Sequence, residues 1–135
     1  MASKQHQFII GLINRKICEY GFSIIFIDGH VSGAFDRKYS LPPKILRHRP
    51  DVIGIDNNGY ICIGEAKTKN DIFNERTREE LFDFSNYELN GQKCLLIIGV
   101  PKSSHESLRN LLNELGILNN RNIEILSIPD EIINE

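Results

Sequence analysis

The stretch RPDVIGIDNNGYICIGEAKT, residues 49–68, alternates apolar residues about a turn as a buried β-hairpin does, yet it carries charges at its end. Asp51 opens the first arm, and Glu65 and Lys67 close the second. Side chains alternate along a strand, so Glu65 and Lys67 face one way and Ala66 the other. The side taken by Asp51 depends on the register. A three-residue Asn57-Asn58-Gly59 loop with Gly59 in a bulge pairs residues whose numbers sum to 116, which sets Asp51 opposite Glu65. A two-residue loop shifts the sum to 115 and turns Asp51 to the other face, unless a bulge restores it.

The first register places two carboxylates side by side, where they repel and where burial raises their pKa. A divalent cation reverses that cost. Mg²⁺ is held by one or two carboxylates together with substrate phosphate and water. An ion so placed polarises a phosphodiester and stabilises the leaving oxygen. Lys67 then aims a point charge at the attacking water or at the developing phosphorane. The three residues together read as a metal-dependent phosphodiesterase site, with Asp51 and Glu65 as ligands for Mg²⁺ (Mn²⁺ substituting) and with Asp51, Glu65 and Lys67 as the catalytic set.

The elements that must position them are legible along the chain. Residues 3–20 read as a helix, capped by Ser3, striped by Ile9, Leu12, Ile13, Ile17 and Tyr20, and stopped by Gly21. Residues 22–28 read as a strand. Residues 29–50 hold no period, and Pro42-Pro43 excludes regular structure there; connections of such length are often functional. The hairpin strands span 51–56 and 60–67. A helix is expected over 70–90, capped by Asn70 or Asn74, with Phe73, Thr77, Leu81 and Phe84 along one face. A strand at 93–100, a helix at 103–116 capped by Ser103 or Ser104 and closed by Gly116, a strand at 122–128 and a short turn of helix after it complete the order. The order implies an α/β domain over residues 1–135, a mixed four- to five-stranded sheet flanked by helices.

Pro50-Asp51, the hairpin, and Glu65-Ala66-Lys67 resemble the PD-(D/E)XK motif of the restriction-endonuclease-like nuclease superfamily. The order of elements, from about residue 3 to residue 128, is similar to that superfamily's core. The resemblance implies that Asp51 and Glu65 hold Mg²⁺ with help from the carbonyl of Ala66, and that Lys67 assists the nucleophile. It implies a nuclease, with a DNA endonuclease favoured. Relatives of similar size include Holliday-junction resolvases that act as dimers, which makes a homodimer and junction cleavage expectations of the same resemblance. Two features depart from the pattern. Many members place an acidic residue on the first helix facing the metal, whereas this helix has Glu19 in its last turn and Gln5, His6 and Gln7 at its start. The glutamine often found in the helix after the lysine is replaced here by the arginines and glutamates of RTREELFDF, residues 76–84.

Candidate nucleic-acid contacts flank the motif. Arg47 and Arg49 run into it within KILRHRPD, and Lys69, Arg76 and Arg78 follow it. Basic groups beside a metal site suit a phosphate backbone path. For Arg76 and Arg78 the alternative is a solvated helix face shared with Glu75, Glu79 and Glu80. His30 and Ser32 stand in the long loop, where a turn without chemistry is the favoured reading. The net charge of −2 argues against coating nucleic acid by charge alone, although residues 1–50 carry +5 and the remainder −7. Cys18, Cys62 and Cys94 are too scattered for a disulfide framework or a zinc site, and each reads as a core residue. No run is long enough for a membrane span and no signal-peptide core opens the chain, so a cytoplasmic protein is expected. At 135 residues the chain is expected to carry no separate target-recognition domain, so specificity is expected from loops, a dimer or structure in the DNA. The rival reading keeps the fold without the catalysis, as a nucleic-acid-binding or assembly module.

Overall fold

A computed structural model describes residues 3–28 and 39–133. The chain runs α1 (Lys4–Glu19), β1 (Ser23–Ile27), β2 (Val52–Ile55), β3 (Ile61–Ala66), α2 (Glu75–Asn86), β4 (Glu88–Leu89), β5 (Gln92–Lys93), β6 (Leu95–Pro101), a 3₁₀ turn, α3 (His105–Glu114), β7 (Ile123–Ile128) and α4 (Asp130–Ile133). Five strands form one mixed sheet in the order β1-β2-β3-β6-β7. The first three make an antiparallel meander, and β6 and β7 join in parallel. This is the α/β class expected, a mixed five-stranded sheet flanked by helices.

Two parallel crossovers step the same way across the sheet, so a common handedness puts α2 and α3 on one face. There Leu81, Phe84, Leu108, Leu111 and Leu112 meet Ile53, Ile63, Leu96 and Ile98. On the other face Ile9, Ile10, Ile13 and Ile17 of α1 meet Val52, Cys62, Ala66 and Ile97. The helix lies close because the sheet presents glycines beneath it. A Cβ at Gly64 would stand 2.6 Å from Ile13 Cγ2, and one at Gly99 2.7 Å from Ile9 Cγ2. Ser3 caps α1 by accepting from the His6 N–H at 3.1 Å. The start of the helix is therefore fixed over the sheet's end.

The hairpin register is the one that chemistry needs. Val52 pairs Gly64 and Ile53 pairs Ile63, so numbers sum to 116, and Gly59 sits at φ 81° in the loop. The Asp56 carboxylate accepts from the N–H groups of Asn58 and Tyr60, both at 2.9 Å, and fixes the turn.

Several expectations are corrected. The helix expected over 70–90 is α2 at Glu75–Asn86, capped by Asn74, which accepts from the Thr77 N–H at 2.8 Å. Phe73 lies ahead of that cap and is exposed rather than on the buried face. Residues 88–93 form a small hairpin, because Asn90 and Gly91 both take positive φ, as a tight two-residue turn requires. Neither Ser103 nor Ser104 caps α3 through its side chain; Ser103 bonds Asp130 instead. Cys18 is exposed on the outer side of α1, while Cys62 and Cys94 are core residues. Among the described residues no helix is long and apolar enough to cross a membrane. His30 and Ser32 lie outside the described residues.

Candidate active site

β3 ends where the apolar face of the sheet gives way to charge. Glu65 and Lys67 continue the face that Ile63 begins, and Asp51 continues it on β2. All three are buried, with 9%, 1% and 6% of Asp51, Glu65 and Lys67 exposed. Two bonds lock the strand ends together: the Asp51 N–H donates to Glu65 Oε1 at 2.8 Å, and the Ala66 N–H donates to Asp51 Oδ2 at 2.8 Å. The Ala66 side chain points the other way, into the α1 layer.

The three charges border a cleft of about 680 Å³. Its walls are the first residues of α1, the turn after β3 and the first turns of α2. A crevice outside the carboxyl ends of parallel strands is where α/β sheets commonly hold ligands. His6 reaches in from α1, with Nε2 3.3 Å from Asp51 Oδ2. Its pKa is raised, because the bond to and charge of Asp51 outweigh the burial that lowers it.

Lys67 is held by more than Glu65. Its Nζ donates to Glu80 Oε1 at 2.6 Å and lies 3.3 Å from Glu65 Oε2. Burial lowers the lysine's pKa, but the charges of Glu65 and Glu80 outweigh it and the net shift is upward. Lys67 is thus an ammonium at neutral pH. Glu65 is raised well above the ordinary glutamate value by burial and by the charge of Asp51, which together overcome the attraction of Lys67. One lysine serves three carboxylates and sits closest to Glu80, so Glu65 is left as the destabilised charge.

Glu80 and Asp28 are the site residues that sequence reasoning missed. Glu80 is 4% exposed and lines the cleft, although it reads as part of a solvated face. The signal was available: Thr77, Glu80, Leu81 and Phe84 follow helical spacing on one buried stripe. Asp28 follows β1, lines the cleft, and donates its N–H to the Asp51 carbonyl at 2.7 Å.

The expected basic contacts divide. Arg49 and Arg76 line the cleft, Arg76 with its side chain 65% exposed. Arg49 Nε donates to the Pro42 carbonyl at 2.7 Å. Lys69 is exposed outside the cleft wall. Arg47 is committed elsewhere, bonding Asp83 through Nε and Nη2 at 3.0 Å each and lying 3.4 Å from Glu79. Arg78 pairs with Glu114 of α3 at 3.0 Å.

The donor set suits a hard divalent cation. Among the described residues no three His, Cys, Asp or Glu side chains are grouped as a ready-made cage. Mg²⁺ is seldom held by an all-protein cage; it takes one or two carboxylates and completes its shell with water and substrate oxygens. The lining also carries Asp28, Asp51, Glu65, Asp71 and Glu80 against Lys4, Arg49, Lys67 and Arg76. A phosphate entering that excess of carboxylate gains from a cation between them.

The fold has a solved counterpart. A crystal structure of a repair endonuclease from Pyrococcus abyssi matches with a TM-score of 0.50 at 18% identity, covering 96% of this chain and 48% of that one. An EndoMS-dsDNA2 complex and EndoMS in apo form give TM-scores of 0.45, at 17% and 18% identity, over 96% of this chain and 46% and 47% of theirs. The chain therefore spans about half the length of the solved structures it resembles. No protein-family model and no curated protein matches it.

Proposed function

We propose that the chain is a metal-dependent nuclease of the PD-(D/E)XK type that hydrolyses phosphodiester bonds, with DNA as substrate and internal cleavage favoured. The observation that carries this reading is the burial of Asp51, Glu65 and Lys67 together on one face at the end of β3. Burying three charges without a task is costly, and breaking such a group exposes the cost. One solved structure that this fold resembles is described as a repair endonuclease, which supports the same reading.

Asp51 and Glu65 are the residues that would hold Mg²⁺ or Mn²⁺, with the Ala66 carbonyl as the third donor that the resemblance implies. Such an ion supplies Lewis acidity toward the phosphate and makes a nearby water more acidic. The chain's own contribution centres on Lys67. As an ammonium with three donor hydrogens and no lone pair, Lys67 serves to orient the attacking water and to balance charge on the phosphoryl oxygens, and it does not take a proton. Glu80 fixes where that ammonium stands. His6 holds the Asp51 carboxylate from the other side. Arg76 and Arg49, at the cleft wall, supply positive charge for the flanking phosphates.

Supercoiled and single-stranded circular DNA test the proposal, because neither has an end. The proposal expects both to be nicked or linearised in Mg²⁺ and left intact in EDTA. Intact circles in Mg²⁺ and Mn²⁺, with linear DNA degraded from its ends, would remove the internal-cleavage part. No cleavage of any form would remove the nuclease reading.

A further inference from the structure

Phe73 is 76% exposed, more than any other large hydrophobic side chain among the described residues. It stands on the turn between β3 and α2, two residues after Asp71 and one before Asn74, both of which line the cleft. Nothing in the helix requires it there. A hydrophobic residue just ahead of an N-cap ordinarily packs on the fourth residue of the helix. That residue is Arg78, whose guanidinium is paired with Glu114. Among the described residues Phe73 enters no ring–ring or cation–π contact.

The turn that displays the ring is firmly built. Asp71 Oδ2 accepts from the Thr68 N–H at 2.8 Å and the Thr68 hydroxyl at 2.9 Å, and the Thr77 hydroxyl donates to the Asp71 carbonyl at 2.6 Å. Ile72, beside Phe73, is 2% exposed and anchors the segment in the core. The ring is thus presented outward from a fixed base, with the exposed cations Lys69 and Arg76 near it in sequence on either side. An aromatic face among cations that track a phosphate backbone is how single-stranded nucleic acid is gripped.

Resting on the nuclease reading above, we propose that Phe73 is a stacking platform for an unpaired nucleobase at the mouth of the cleft. A base inside a duplex has both faces covered by its neighbours and costs energy to extrude, so the ring favours a base that is already unstacked. The substrate class this selects is a single strand, or a duplex carrying unpaired bases next to the scissile bond. Phe73 binds and positions; Asp51, Glu65 and Lys67 act.

The test is fluorescence anisotropy with a labelled oligothymidylate and a labelled blunt-ended, GC-rich duplex, with Ca²⁺ in place of Mg²⁺. Wild type, Phe73→Ala, Phe73→Leu and Phe73→Trp are compared, with plasmid nicking in Mg²⁺ run beside them. Base–aromatic stacking implies a loss of about tenfold or more in oligothymidylate affinity for the alanine and leucine variants, retention by tryptophan, and little change on the blunt duplex. An exposed position makes all three variants fold as wild type does, which thermal melts check. Equal affinity of Phe73→Leu and wild type, or equal losses on both probes, would overturn stacking. Unchanged oligothymidylate binding in every variant while wild type still nicks plasmid would overturn stacking alone. A wild type that neither nicks nor binds either probe would overturn the nuclease reading with it.

Discussion

Glu80→Ala removes the closest partner of Lys67 without touching the residues that would hold the ion. The bond is 2.6 Å long, and the lysine and glutamate side chains are 8% and 5% exposed. Removing one member of a buried pair costs about 3–5 kcal/mol when the other is left alone. Here Lys67 keeps Glu65 at 3.3 Å, and Glu65 is freed of a neighbouring charge that raises its pKa. Both effects reduce the loss, to about 1–3 kcal/mol. A 135-residue chain melts with an entropy near 0.28 kcal/mol/K, so the melting temperature should fall by about 4–11 °C. The ammonium then swings toward Glu65, away from the position proposed for it, and kcat should fall by about 10- to 100-fold. KM for DNA should not rise, because a carboxylate has left the cleft. Glu80→Gln keeps the length and the acceptor oxygen, and should recover most of the stability and kcat. Differential scanning fluorimetry and plasmid-nicking kinetics on the same preparations measure both. An unchanged melting temperature and kcat in Glu80→Ala would refute the claim that Glu80 holds Lys67.

Three further outcomes follow. Gly99→Ala puts a Cβ 2.7 Å from Ile9 Cγ2 and within 2.9 Å of two Ile13 atoms; overpacking of this kind costs about 1–3 kcal/mol, read from urea denaturation, and lifting α1 should also lower activity by displacing His6. In EDTA, the raised pKa values of Glu65 and His6 mean that the folded site binds more protons than the unfolded chain, so their contribution is full below 4.5 and 6.5 respectively and is lost as pH rises through the folded values. Melts across that range should show Glu65→Gln gaining on wild type as pH rises, and a pH-independent difference would contradict this. Arg76→Ala should weaken DNA binding and reduce the salt slope by about 0.9, whereas Arg47→Ala, whose guanidinium is bound to Asp83, should lower the melting temperature and leave the slope unchanged.

Much of this architecture was legible because its signals are local. The Asn57-Asn58-Gly59 turn announced the hairpin but left two registers open, and the pairing of Val52 with Gly64 is what brings Asp51 to Glu65, since a one-residue slip would have turned Asp51 away. Ser3 and Gly21 bounded α1, and its isoleucine spacing gave the face that meets the sheet. Other features needed the third dimension. Glu80 looks like one of several acids on a charged helix until the helix is placed against β3, where its stripe carries it under Lys67. Arg47 and Arg76 are alike in sequence, and only the structure separates a guanidinium bonded twice to Asp83 from one at the cleft wall, 65% exposed and 3.7 Å from Glu80. The small hairpin at 88–93 is a different case. Asn90-Gly91 announces it, but the helical content of the preceding residues masks the signal when the segment is read as one unit.

The most direct test of the central claim is plasmid nicking in Mn²⁺ by Lys67→Ala beside wild type, with the Mn²⁺-induced rise in melting temperature measured on both. Two carboxylates that hold the ion and a lysine that acts on the water and phosphate predict that both proteins are stabilised by Mn²⁺ and that only wild type nicks. Undiminished nicking by Lys67→Ala, or a wild type neither stabilised by Mn²⁺ nor able to nick, would contradict the account.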